Sequence, residues 1–98
     1  MGLRSPALSA ADAARVREIA GRHGVHSVRV FGSVARGDVG ARSDLDLLIA
    51  LEPGRGFREL MDFCEEVEAA LLRRVDVVVE DGLSPYIRER VLNEAVAL

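Results

Sequence analysis

Two short runs decide how this chain is read: Phe31-Gly32-Ser33 and, after ten intervening residues, Asp44-Leu45-Asp46-Leu47-Leu48-Ile49. The second run, extended through Leu51, is largely apolar, as a strand covered on both faces should be. Asp44 and Asp46 are therefore out of place in it, and that makes them informative. On a strand, alternate side chains share a face, so the two acids point the same way with their Cα atoms about 6.5–7 Å apart. Left unpaired on a buried face, they would repel at a cost on the order of several kcal/mol each. A hard cation such as Mg²⁺, which takes oxygen ligands, removes that penalty. The first run supplies a complementary element. Glycine lets backbone come close to a ligand, the start of a following helix offers free N–H groups to phosphate, and the Ser33 hydroxyl adds a donor.

Outward from this centre, the pattern alternates helix and strand. Ser9 reads as an N-cap with Asp12 in the first turn. Ala13, Val16, Ile19 and Ala20 follow at helical spacing, which predicts a helix over about 10–22 closed by Gly24 at C′. Val25 to Phe31 reads as a strand, with a short helix over 34–36 beyond it. Pro53 to Gly56 is a turn. Phe57, Leu60, Met61, Cys64, Val67, Ala70 and Leu71 form an apolar stripe that predicts a helix over about 57–72. Val75 to Val79 is the third strand, and its single acid, Asp76, can join the Asp44–Asp46 pair if this strand lies beside the second. Ser84-Pro85 opens a last helix, with Ile87, Val91, Leu92, Ala95 and Val96 on its apolar side. The expected class is α+β, in the order α-β-(α)-β-α-β-α, with a small mixed sheet of three strands or slightly more. One domain over 1–98 is expected, with 1–8 a loose lead-in.

Composition narrows the chemistry. The chain has 98 residues, is 49% hydrophobic, and carries a net charge of −3. That is one packed domain with little room for a separate substrate-binding module. All 13 basic residues are arginine, which excludes a lysine Schiff base, a lysine nucleophile and a P-loop lysine. Mild acidity argues against general nucleic-acid binding. No long apolar run suggests a membrane span, the N-terminus has no signal-peptide core, and Pro6 departs from the myristoylation pattern that Met1-Gly2 opens. With Cys64 the single cysteine, there is no disulfide framework. A cytoplasmic location is the simplest expectation.

Three carboxylates, Asp44, Asp46 and Asp76, suit a two-metal site for in-line phosphoryl displacement. Arg36 and Arg42, in the loop between the two runs, can neutralise phosphate oxygens. The stretch Phe31-Gly32-Ser33-Val34-Ala35-Arg36-Gly37-Asp38, with Ser43-Asp44-Leu45-Asp46-Leu47-Leu48-Ile49, resembles the nucleotidyltransferase superfamily that includes DNA polymerase β. Within it, the chain looks most like the minimal nucleotidyltransferases, the MntA-type antitoxins paired with HEPN-domain toxins. Val75-Asp76-Val77-Val78 resembles the strand that carries the family's third carboxylate. The resemblance covers about 10–98 and implies a nucleotidyltransferase fold and ATP as substrate with two Mg²⁺ ions. It implies that Gly32 and Ser33 hold the triphosphate, that Asp44 and Asp46 bind metal, and that Asp76 binds the catalytic metal and helps activate the acceptor. The implied reaction is AMP transfer to a tyrosine hydroxyl of a cognate HEPN toxin. Two alternatives stand beside it: neutralisation of that toxin by binding alone, or transfer to a small-molecule hydroxyl such as an aminoglycoside.

The remaining polar residues read as structural. Asp38 is expected in a turn, and His23 and His26 on a solvated surface. Glu65, Glu66 and Glu68 are expected on a solvated helix face, and Arg73-Arg74 at a helix end where they favour its dipole. Cys64 is expected in the core. Tyr86 is expected to pack, with self-modification as its alternative reading.

Overall fold

The computed structural model describes residues 8–32, 35 and 44–98. Ser33, Arg36, Asp38 and Arg42 lie outside the described residues, as does the expected helix over 34–36 apart from Ala35, which is helical.

Helix α1 spans Ala10–Arg22, and its first turn is fixed by the Asp12 N–H donating to Ser9 Oγ at 3.1 Å. Gly24, at φ +71, turns the chain out of the helix, a left-handed conformation that glycine adopts without strain. Strand β1 (Val25–Phe31) runs antiparallel to β2 (Leu45–Leu51). Their register shifts between His26 and Arg29, where Ser27 has φ +60 and the strand bulges. Helix α2 (Phe57–Leu71) carries the crossover that a parallel connection needs, and β3 (Val75–Val79) then pairs parallel with β2. A 3₁₀ turn over Glu80–Gly82 leads into α3 (Pro85–Glu94), with Ser84 Oγ accepting from the Tyr86 N–H. A two-residue strand, β4 (Val96–Ala97), closes the sheet in the order β3-β2-β1-β4.

Alternation along β2 divides the molecule. Leu45, Leu47 and Ile49 are fully buried in one cluster with Val16 and Ile19 of α1, Val30 of β1, and Phe63 and Val67 of α2. This is the two-layer arrangement expected when one sheet face is covered by amphipathic helices. Asp46 and Leu48 alternate with these residues and therefore belong to the opposite face.

The sheet has four strands, within the expected three or slightly more. The last helix stops at Glu94 because Ala95 is extended (φ −70, ψ 140), and Val96 pairs with Val30 rather than completing a helical stripe. A two-residue strand is too short to show a period of its own. Leu8 is not loose: it is buried in the main cluster. The stripe on α2 is real from Leu60 onward, but Phe57 is 74% exposed and Met61 is also exposed. Its first turn thus projects past the sheet. Leu72 ends the helix in the left-handed region at φ +56.

Candidate active site

Parallel pairing of β2 with β3 places Asp46 directly beside Asp76. Register partners on adjacent strands lie about 4.8 Å apart and point to the same face. Both are thus on the face away from α1 and α2. Asp76 is exposed, on a strand at the sheet's edge, and Asp46 is half-buried. Asp44 is exposed immediately before β2, where the Leu45 N–H donates to the Arg74 carbonyl at 3.0 Å and anchors the strand's start.

On the other side of Asp46 lies the end of β1. Phe31 is its antiparallel register partner, and Gly32 follows at φ +76. A Cβ built on Gly32 would overlap Asp46 Oδ2. Glycine is therefore required there twice over, once for its backbone angle and once for the space the carboxylate occupies. The Gly32 N–H donates to Glu94 Oε1 of α3 at 3.2 Å.

Of the seven residues expected in the site, the fold brings Gly32, Asp46 and Asp76 together and sets Asp44 at the same end of β2. Ser33, Arg36 and Arg42 fall outside the described residues. The donor set suits a hard cation in kind, being carboxylate oxygen throughout. Asp46 Oδ2 occupies the space that a side chain at the turn would need. Among the described residues, no three acids, histidines or cysteines gather closely enough to form a ready cation cage. Glu94 is the residue that the sequence pattern did not single out. Its only signal is a carboxylate in the last turn of a helix, where the dipole disfavours negative charge.

Several residues read as structural take other positions. Glu66 is not simply solvated: it accepts from Arg22 at 2.6 Å and meets His23 Nε2 at 2.7 Å, joining α2 to the end of α1. The His23 hydrogen bond, then that of Arg22, holds its carboxyl below the usual range. His23 is thereby largely covered rather than solvated, whereas His26 is exposed. Glu68 accepts from the Val75 N–H at 2.9 Å and fixes the entry to β3. Cys64 packs against the core cluster with its thiol toward the Val75 carbonyl at 3.5 Å. Burial, with Glu68 and Asp76 nearby, pushes that thiol's pKa up, which makes it a poor nucleophile. Tyr86 does not pack: it is 96% exposed.

A small mixed sheet that sets two strand carboxylates side by side against a glycine turn defines the nucleotidyl-transferring class of fold. The chain belongs to the nucleotidyltransferase domain family, whose profile matches residues 13–98. The protein adenylyltransferase MntA of Thermococcus cleftensis is 36% identical over 83 residues, covering 85% of this chain and 84% of that one. A solved structure provisionally called a minimal nucleotidyltransferase superposes with a TM-score of 0.82 at 48% identity, covering 90% of each chain. The fold also matches a chain from the complex of a tri-AMPylated Shewanella oneidensis HEPN toxin with MNT antitoxin. That match has a TM-score of 0.68 at 13% identity and covers 89% of this chain and 68% of that one. The chain is thus a nucleotidyltransferase with the α+β fold of the minimal members of its superfamily. Among the described residues, no helix is long and apolar enough to cross a membrane.

Proposed function

We propose that this chain is a cytoplasmic antitoxin that transfers AMP from ATP to a tyrosine hydroxyl of a cognate HEPN toxin. The observation that carries the reading is the pairing of Asp46 on β2 with Asp76 on the edge strand β3, beside the Gly32 turn. A relative 36% identical is a protein adenylyltransferase, an enzyme whose acceptor is a protein. Asp76 is exposed on an edge strand, where a folded protein can present a side chain.

In the proposed reaction the acceptor oxygen attacks the α-phosphorus of ATP. A new P–O bond forms, the bond from that phosphorus to the bridging oxygen breaks, and pyrophosphate leaves. Asp44, Asp46 and Asp76 would hold two Mg²⁺, which supply charge neutralisation to the triphosphate when bound. Gly32 and Ser33 seat the triphosphate, and Arg36 and Arg42 neutralise its outer oxygens. Asp76 faces the incoming hydroxyl and accepts its proton.

Incubation with ATP, Mg²⁺ and the protein encoded beside this chain's gene tests the reading by intact mass. The partner is expected to gain one or more AMP units, on a tyrosine, and to gain none with Asp46→Asn. No mass gain with the wild-type chain overturns the transfer. If Asp46→Asn still protects cells from the partner, binding alone neutralises it. Label on an added aminoglycoside instead of the protein would point to a small-molecule acceptor.

A further inference from the structure

We infer that Glu94 is a positioning residue for the nucleotide: it fixes the Gly32 turn from outside the carboxylate site. The inference rests on the reading that this turn seats the triphosphate.

Three observations converge on the end of β1. First, β4 pairs with β1 at Arg29 and Val30, immediately before the turn. Second, β2 pairs with Phe31 through Asp46. Third, Glu94 Oε1 accepts from the Gly32 N–H at 3.2 Å. Glu94 sits two residues before β4, so the end of α3 and the short strand after it hold β1 at two successive points. The turn is thereby braced from the sheet on one side and from α3 on the other.

Helix stability does not account for this placement. A carboxylate in the last turn opposes the helix dipole, and α3 buries only Val91 among its residues. What Glu94 does supply is a charged acceptor for a backbone donor at a glycine whose φ is +76. Glycine has the widest conformational freedom of any residue. Without an external anchor, the turn would sample other angles, and the triphosphate seat proposed there would lose its shape. Asp46 Oδ2 fills the space that a Cβ on Gly32 would occupy, so the turn and the carboxylate lie side by side. The Gly32 N–H is therefore committed to holding the turn, and Glu94 does not touch substrate in this role.

Glu94→Ala and Glu94→Gln in the full chain test the inference, since the glutamine amide oxygen still accepts an N–H. Expected is a roughly tenfold rise in Kd for a fluorescent ATP analogue in Glu94→Ala, the size of one charge-assisted hydrogen bond or slightly less. KM for ATP rises with it, kcat at saturation moves less, and Glu94→Gln binds within a few-fold of wild type. The Gly32 amide proton, assigned by its loss in Gly32→Ala, is expected to shift upfield in Glu94→Ala without nucleotide present. Glu94→Ala binding the analogue as tightly as wild type overturns the inference. Tighter binding also overturns it and makes Glu94 a competitor for phosphate. If Glu94→Ala does not fold, Glu94→Asp, one methylene too short, replaces it with the same expected loss. Failure of the wild-type chain itself to bind the analogue sinks the nucleotide reading rather than the role of Glu94.

Discussion

The two faces of β2 differ more than any other neighbouring regions of the molecule. Leu45, Leu47 and Ile49 point into a buried apolar cluster with residues of α1 and α2. One residue out of phase, Asp46 points to the face where Asp76 and the Gly32 turn meet. Because the side-chain period of a strand is two, a slip of one residue would put Asp46 into the core and a leucine into the site. The same seven residues therefore carry the main apolar cluster on one side and, on the other, Asp46 next to a fully buried Leu48. Changes on one side should leave the other almost untouched, and the comparison can be broken by variants that violate this.

The largest expected effect is chemical. Asp46→Asn should lower nucleotide transfer by about 10³-fold, the scale of several kcal/mol of lost transition-state charge stabilisation. Its thermal unfolding midpoint should stay near that of wild type, because Asp46 lies outside the main apolar cluster. A parallel assay of transfer and melting checks both halves. A large fall in melting temperature would mean that Asp46 supports the fold, and the division between faces would fail.

Leu47→Ala is the mirror test. Leu47 is fully buried, and its truncation should destabilise the chain by about 2–5 kcal/mol. Per folded molecule, nucleotide affinity should remain near wild type. Denaturant unfolding monitored by circular dichroism, with ligand titration well below the transition, reads the two quantities separately. A loss of affinity in the folded fraction would show that the core layer sets the geometry of the acids.

These contrasts bear on what the residues alone reveal. The strand from Asp44 to Leu51 was legible as a largely apolar run interrupted by acids at fixed spacing. The partnership of Asp46 with Asp76 was legible only as a condition, since pairing between strands is a tertiary fact. β4 was read into the last helix because two residues show no period of their own, whereas Glu94 and the Glu66 link escaped for one physical reason. Each is a contact between segments remote in sequence, made by a residue whose local pattern is also that of a solvated surface. Leu8 escaped differently: a single buried side chain ahead of a helix has no period to betray it. Tyr86 erred in the opposite sense, an aromatic in an amphipathic helix that the fold leaves exposed.

Gly32→Ala tests the seam where the two regions touch. A Cβ there meets Asp46 Oδ2 and forces a side chain into the left-handed region. The backbone penalty alone is about 1–2 kcal/mol. Activity should fall much further than stability, because relief of the overlap displaces a carboxylate of the site. Equal fractional losses, measured by transfer rate and by unfolding, would mean that the turn serves only the fold.

The smallest effect should come from the link farthest from the acids in function, that between α1 and α2. Glu66 is held below its usual pKa by His23 and Arg22. A carboxyl depressed in the folded state contributes stability that is fully present above its unfolded value, near the model-peptide range of about 4.3. That contribution disappears as pH falls through the lower folded value. Glu66→Gln should therefore melt somewhat below wild type at neutral pH, and the gap should close on acidification through that window. The pair is solvent-screened, so the difference should be modest and should shrink with added salt. A gap that persists below the folded pKa would assign the effect to packing rather than to charge. Nucleotide affinity is expected to stay constant throughout, since this link braces the helix layer and leaves the Asp46 face alone.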